Sequence, residues 1–239
     1  MDFDDNVMAC ARLVEQGDPL RFASAMAAPV ALRARFFVLY AFNVEVSRAP
    51  WVTQEPMIAE MRLQWWRDAL EEIRTGGPVR RHEVVTPLAQ AVTGEEAGTL
   101  DTLVAARRWD IYRDPFEDQD HLARYLEQTA AALMVVAGRD DALRGTGFGG
   151  GVAAWLHAIP ALEAAGRVPL VDGTPDGVRA LAQKGLKALG RGGPAALPAA
   201  GARAVLKAAM RDPRRVAERQ LPPLDAPLAR VRARLLGRV

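Results

Sequence analysis

Residues 55–73 read EPMIAEMRLQWWRDALEEI, and this stretch decides the fold class. Its apolar side chains recur at steps of three and four residues, the spacing of one face of an α-helix. The predicted inner face consists of Ile58, Met61, Trp65, Trp66, Ala69, Leu70 and Ile73, with Met57 also assigned to the core. Arg67 and Glu71 lie on the opposite stripe at a spacing that predicts an ion pair. Gly76-Gly77-Pro78 then ends the helix.

The rest of the chain has the same character. No segment alternates apolar and polar residues as a half-buried strand does, so we predict an all-α fold. Further helices are predicted at residues 5–16, 31–47, 87–92, 98–109, 118–136, 149–165, 174–189 and 197–209, with a last amphipathic helix after Asp212. Residues 190–198 are predicted to form a loop.

The glycine cluster GTGFGGG, residues 145–151, does not have the features of a phosphate-binding loop. No strand precedes it, and it lacks the lysine followed by serine or threonine that such a loop requires. We predict instead a loop that leads into a tightly packed helix.

Composition excludes several classes of protein. The chain has 239 residues, of which 50% are hydrophobic, and its single cysteine, Cys10, rules out an internal disulfide and a thiolate zinc site. Cys10 is predicted to be a small buried residue. His82, His121 and His157 lack metal-ligand spacing, so no metal site is predicted from them. The acidic start MDFDDN and the absence of a run of about 18 apolar residues favour a cytoplasmic location.

Charge is distributed unevenly along the chain. Residues 174–239 contain fourteen Lys or Arg against four Asp or Glu, whereas residues 1–173 contain seventeen against twenty-five. This basic C-terminal region is either a solvated surface or a contact for an acidic partner, an anionic membrane or a nucleic acid.

The order of several motifs resembles the squalene/phytoene synthase superfamily. These are LYAF at 39–42, the segment at 55–73, AARRWDIYRDP at 105–115, LARYLEQTAAALMVVAG at 122–138 and GVAAWLHAIPALEAAGRVPL at 151–170. The resemblance implies a single-domain isoprenoid synthase-type helical bundle around a central cavity. We assign the bundle to residues 1–189, and residues 190–239 to a Gly/Pro loop and basic helices that pack on it or extend it.

Active members of this superfamily hold magnesium on two aspartate-rich motifs. Ungapped placement of the first motif puts its aspartates near Ser47, Arg48 and Trp51, and that of the second puts them at Ala158 and Leu162. The chain therefore lacks both motifs at the expected positions. The same losses, together with AFNVE, EPMI and LHAIP, resemble the branch that contains the assembly factors of respiratory complex I.

The leading hypothesis is a pseudoenzyme that acts by binding, in respiratory complex assembly or at a membrane surface, with no catalytic residue and no cofactor. We expect it in the cytoplasm, or peripheral to the inner membrane, with a protein partner or an isoprenoid lipid contact and no specific nucleic acid. One alternative is an active head-to-head prenyltransferase that uses Mg²⁺ and displaced carboxylates such as Glu45, Asp110 and Glu163. Another is a lipid- or RNA-binding module built on the basic tail. The candidate binding residues are Tyr40, Glu45, Arg48, Arg62, Trp66, Asp110 and Arg167.

Overall fold

The structure is a computed structural model that describes residues 3–190 and 192–236. Within these residues the backbone forms helices and turns and no strand, which confirms the all-α prediction. The chain divides into two compact units, Met1–Tyr112 and Arg113–Val239, called unit 1 and unit 2 below. The predicted division at residue 189 and the predicted central cavity stay predictions.

Unit 1 consists of six helices and a terminal 3-10 turn within the described residues. They are α1 Asp5–Gly17, α2 Pro19–Ala27, α3 Val30–Arg48, α4 Pro56–Thr75, α5 Val85–Ala91, α6 Gly94–Ala106 and the turn Arg107–Asp110. Helix α3 packs against α1, α2 and α5, while α4 packs against α6. Because α3 is surrounded by neighbours, every residue from Phe36 to Val44 is buried.

Side-chain hydrogen bonds to backbone N–H groups define where α2 and α6 begin. The Asp18 carboxylate accepts a hydrogen bond from the Arg21 N–H, and Pro19 occupies the first turn of α2. Thr93 and Glu96 form a reciprocal capping box at the start of α6. The predicted boundaries of α1, α3 and α4 agree with the structure to within two residues.

The inward face of α4 differs from the prediction. Its buried positions are Ala59, Leu63, Trp66, Ala69, Leu70 and Ile73. Met57, Ile58 and Met61, predicted to be core, have exposed fractions of 75%, 44% and 66%. The predicted ion pair is also wrong, because Arg67 pairs with Asp101 of α6 and Glu71 pairs with Arg74.

Unit 2 is built around the long helix α9. Its described elements are α7 Gln119–Leu126, a π-helical turn Glu127–Ala131, α8 Ala132–Gly138, a 3-10 turn Asp141–Leu143, α9 Arg144–Ala164, α10 Pro175–Ala188, a 3-10 helix Pro194–Ala199, α11 Ala202–Arg211, α12 Arg214–Ala217 and α13 Pro227–Leu236. Helix α9 packs against α8, α10 and α11, and α10 packs against α11.

The glycine cluster lies inside α9, so the loop predicted there is wrong. A Cβ atom on Gly147 would lie 2.6 Å from the Ala131 Cα, and one on Gly149 would lie 2.6 Å from the Gly185 oxygen. Both distances are far below ordinary van der Waals separation. Glycine is required here because neighbouring backbones approach α9 closely.

The predicted loop at residues 190–198 is also partly wrong, since Pro194–Ala199 is a 3-10 helix. Helix α11 buries Val205, Leu206 and Ala209 completely, so this part of the C-terminal region belongs to the core of unit 2. The prediction of a buried Cys10 is confirmed, with 1% of the residue exposed. Among the described helices, none combines the length and apolar character that a membrane crossing needs.

Candidate functional site

Unit 1 contains a pocket of about 280 Å³ at the C-terminal end of α3. Helix α3 contributes Glu45 and Arg48, Ala49 follows directly after α3, and helix α4 contributes Arg62, Trp65 and Trp66. Val52 and His82 complete the lining from the connecting segments. The α4 residues lie at positions i, i+3 and i+4, and the two α3 residues lie at i and i+3, so each set shares one helical face.

Four of the seven predicted binding residues line this pocket: Glu45, Arg48, Arg62 and Trp66. Tyr40 does not; its side chain lies in the core of unit 1, with its ring centre 5.7 Å from that of Phe36, and burial raises its pKa. Asp110 is also buried and accepts a hydrogen bond from Arg107 at 3.1 Å. That Tyr40 and Asp110 take part in binding stays a prediction.

Arg167 belongs to unit 2 and is buried just after α9. Its backbone N–H donates to the Leu162 oxygen at 2.9 Å, and Gly166 before it adopts a φ of +75°. This conformation is open to glycine and strained for other residues. Glu163, one of the proposed displaced carboxylates, lies exposed in the last turn of α9, within unit 2.

Aromatic rings form the inner wall of the pocket. Trp66 is 5% exposed, and its ring meets Phe42 edge to face at a centroid distance of 5.4 Å. Trp65 and His82 pack on Trp66 in the same manner, at 5.1 and 5.5 Å. Such edge-to-face contacts are the favoured geometry for aromatic pairs. The wall is therefore a packed, rigid surface.

Contacts with Arg80, which is held by Glu72, fix the position of Trp65. The Arg80 guanidinium lies 4.9 Å from the Trp65 ring centre, and it donates to the Trp65 backbone oxygen at 3.1 Å. Arg80 is itself held by Glu72 through hydrogen bonds that lower the pKa of the Glu72 carboxyl. Trp65 thus has a fixed position although it is only half-buried.

Hydrogen bonds also define the orientation of His82. Its Nδ1 accepts from the Val84 N–H at 3.1 Å, and its backbone N–H donates to the Thr86 hydroxyl at 3.1 Å. The neutral ring therefore carries its proton on Nε2. Sequence reasoning missed His82, Trp65, Ala49 and Val52 as pocket residues. Only the tandem tryptophans offered a local signal; His82 reaches the pocket through the loop before α5.

The charged groups at the mouth of the pocket are mostly cationic. Glu45 and Arg48 approach to 3.8 Å, and their side chains are 33% and 59% exposed. That distance is too long for a hydrogen bond, and an exposed pair of this kind contributes little to stability. Arg62 is exposed and makes no ion pair with another described residue. Two guanidinium groups thus face one carboxylate.

This set of side chains does not fit magnesium. Mg²⁺ takes oxygen ligands, usually from one or two carboxylates, and Glu45 is the lone carboxylate of the pocket lining. Arg48, where ungapped placement of the family's first motif predicts an aspartate, carries a charge that repels the ion. Within the described residues, no group of three or more His, Cys, Asp or Glu side chains is placed to hold a metal ion.

Two solved structures share this fold. A dehydrosqualene synthase in complex with ligand superposes with a TM-score of 0.69 at 12% identity, covering 95% of this chain and 93% of that one. The squalene synthase HpnC from Alicyclobacillus acidocaldarius gives a TM-score of 0.61 at 18% identity, covering 97% and 91%. At these identities the likeness concerns the fold alone.

Curated relatives are more similar in sequence over a shorter region. A Drosophila melanogaster protein named NADH dehydrogenase (ubiquinone) complex I, assembly factor 6 homolog is 32% identical over 166 residues, or 63% of this chain and 50% of that protein. Human NADH dehydrogenase (ubiquinone) complex I, assembly factor 6 is 26% identical over 137 residues, or 52% and 38%. The chain therefore matches about half or less of the length of these relatives.

The family itself follows from residues 14–139, which match the model of the family described as squalene/phytoene synthase. The matched region contains α3, α4 and every residue that lines the pocket. Together with the shared fold, this match shows that the chain belongs to the squalene/phytoene synthase family.

Proposed function

We propose that this chain acts by binding, without prenyl transfer, in the assembly of a respiratory NADH dehydrogenase. The observation that carries the proposal is the charge of the pocket lining, in which Arg48 and Arg62 accompany a single acid, Glu45. The family resemblance, placed without gaps, predicts an aspartate at Arg48. The role in NADH dehydrogenase assembly is inferred from the names of the similar fly and human proteins.

The missing acids have a direct chemical consequence. When a prenyl diphosphate ionises, the leaving group develops negative charge that bound metal ions stabilise in the transition state, an effect of several kcal/mol. Arg48 and Arg62 can attract an anion, yet a lone carboxylate opposite them supports no cluster of metal ions. A site of this composition favours binding over the family reaction.

The place of action that we propose is the cytoplasmic surface of the inner membrane. Support comes from residues 180–217, which contain eight Lys or Arg and one acid, Asp212. Lys184, Lys187 and Lys207 are exposed on α10 and α11. Basic side chains near an anionic membrane surface each contribute about 1 kcal/mol of attraction. Sedimentation with phosphatidylglycerol vesicles should fall after glutamine replaces these three lysines, whereas unchanged sedimentation contradicts the membrane contact.

A deletion strain of the source organism tests the assembly role. We expect native gels of its membranes to show less assembled NADH dehydrogenase and an accumulation of subcomplexes. Plasmid-borne wild-type chain should restore the complex, and other respiratory complexes in the same membranes serve as the internal control. Normal amounts of NADH dehydrogenase in the deletion strain would refute the proposed function.

A further inference from the structure

The start of α4 carries an apolar surface that the rest of the described chain leaves uncovered. Met57, Ile58 and Met61, called the α4 strip below, have exposed fractions of 75%, 44% and 66%. Met57 and Ile58 lie four and three residues before Met61, so the three side chains share one face of the helix. Exposed apolar side chains that occur singly are normal, whereas a contiguous group marks an interaction surface.

Two charges of opposite sign lie beside the α4 strip. Glu55 directly precedes α4, and Arg62 lies in its second turn. Both residues are exposed, and neither forms an ion pair with another residue in the described part of the chain. Because they are seven residues apart, or two helical turns, they lie on the same flank of the strip.

A second copy of the chain can supply a partner for both charges. When two identical helices pack antiparallel about a twofold axis, the same flank of each helix faces the other. An axis that passes beside Ile58 puts Glu55 of each copy at the level of Arg62 of the other copy. The same axis brings the two α4 strips into contact, so apolar and charged groups match at once.

We propose that the α4 strip is a dimer interface, in which a second copy of this chain packs antiparallel along α4. Met57 and Met61 of one copy interleave with those of the other, and Glu55 pairs with Arg62 at both ends. The overlap from Glu55 to Arg62 spans about 10 Å of helix, at 1.5 Å per residue. A contact this short belongs to the small class of interfaces, so we expect a weak, reversible dimer. The interface goes beyond the proposed assembly role and does not depend on it.

Charge selects this occupant over two others. In a parallel dimer the flank of Glu55 and Arg62 would face the opposite flank, where Glu60 already accepts a hydrogen bond from Arg108 at 2.8 Å. An anionic membrane would attract Arg62 and repel Glu55. The antiparallel second copy neutralises both charges and removes apolar area from water, which contributes about 25 cal/mol per Å².

Sedimentation velocity on the purified full chain tests the dimer. We expect one reversible step from monomer to dimer as the protein concentration rises, and no larger species, because a twofold interface is closed. A chain that stays monomeric up to several hundred micromolar, a concentration at which a millimolar dimer would already be detected, would overturn the proposal. Vesicle binding that Met61→Gln abolishes would then assign the strip to a membrane instead.

Charge reversal tests the antiparallel arrangement. Glu55→Arg and Arg62→Glu should each weaken the dimer about tenfold or more, since an attraction at both ends becomes a repulsion. The double variant restores opposite signs and should recover most of the affinity, and a mixture of the two single variants should form a heterodimer. Arg12→Glu, at an exposed position of α1, is the matched control and should leave the affinity unchanged. A double variant as weak as the single variants would overturn the arrangement.

The α4 strip is tested by a polar substitution and a cross-link. Met61→Gln should weaken the dimer about threefold or more, whereas Met26→Gln, in an exposed methionine of α2, should not. A short bis-maleimide should cross-link Ile58→Cys, the position nearest the axis, and not Met26→Cys; the native Cys10 is 1% exposed and out of reach of the reagent. Circular dichroism should show that each variant folds, since the replaced side chains are exposed. Equal dimerisation of Met61→Gln and Met26→Gln, or a dimer without the cross-link, would overturn the proposed interface.

Discussion

Replacement of Gly147 by alanine tests the close approach of helices in unit 2. Gly147 lies in α9, where a new Cβ would meet the Ala131 Cα at 2.6 Å, the Met134 Cβ at 3.1 Å and the Ala130 oxygen at 3.3 Å. Two of these three atoms belong to the backbone, which cannot move aside as a side chain can. Overpacking of this kind costs about 1–3 kcal/mol.

The same substitution also brings a gain, which a second glycine measures. Alanine in a helix interior is about 0.5–1 kcal/mol more favourable than glycine. Gly98 in α6 has no atom within 4 Å of the new Cβ, so Gly98→Ala should realise this gain. For Gly147→Ala the clash should outweigh it, with a net loss of about 1–2 kcal/mol. The gain is common to both variants, so the expected difference between them is the cost of the clash itself, about 1–3 kcal/mol.

Urea unfolding followed by helical circular dichroism gives both free energies of unfolding. Because the two glycines lie in different units, limited proteolysis should accompany the melts and show which unit loses protection. If Gly147→Ala proved as stable as the wild type, the packing of α9 against Glu127–Ala131 would be looser than the structure shows. Close packing around α9 would then no longer explain the five glycines between residues 145 and 151.

Three further predictions concern unit 1. Burial, with a smaller effect of Glu83, raises the pKa of the Cys10 thiol to about 12, so above about pH 9 the unfolded thiol ionises while the folded one does not. The free energy of unfolding should therefore fall by up to about 1.4 kcal/mol per pH unit between pH 9 and 10. The fall should be less steep in Cys10→Ala, which has no thiol to ionise. Equal slopes in the two proteins would show that Cys10 ionises in the folded chain. Thr93→Ala should lose about 0.5–2 kcal/mol, because the Glu96 N–H loses its capping oxygen at 3.2 Å; an unchanged urea midpoint would contradict that role. Trp66→Ala should cost about 3–5 kcal/mol, since the wall of the pocket loses its central ring, and a loss below 1 kcal/mol, the level of a surface change, would contradict a packed wall.

In α4, hydrophobic periodicity predicted the helix correctly but not its buried face. A helix was predictable there because polar and apolar residues recur with a helical period. The buried face was predicted one or two positions off in the first two turns, where Ala59 and Leu63 are buried in place of Ile58 and Met61. Periodicity identifies an apolar stripe, but the neighbouring helix decides how much of that stripe is covered.

The prediction for the glycine-rich start of α9 failed for a different reason. Intrinsic propensity disfavours glycine in helices and predicts a loop. In the structure the close approach of α10 and of residues 127–138 outweighs that propensity, because no larger side chain fits. Such tertiary contacts cannot be derived from local sequence alone.

The pocket was predictable in part. Glu45, Arg48, Arg62 and Trp66 follow from the family resemblance and from the order of motifs along α3 and α4. His82 comes from a loop with no periodic pattern, and its position depends on hydrogen bonds to Val84 and Thr86. The sequence also offered no sign that Trp65 would be held by Arg80 from the segment between α4 and α5.

Prenyl diphosphate turnover is the most direct test of the central claim, that this member of the family binds without catalysis. Purified chain is incubated with farnesyl or geranylgeranyl diphosphate and Mg²⁺, and pyrophosphate release is measured beside an active squalene synthase. We predict no release above the buffer rate, for the wild type and for Glu45→Gln alike. Release at an enzyme-like rate that Glu45→Gln abolishes would contradict the claim and establish the displaced-carboxylate prenyltransferase instead.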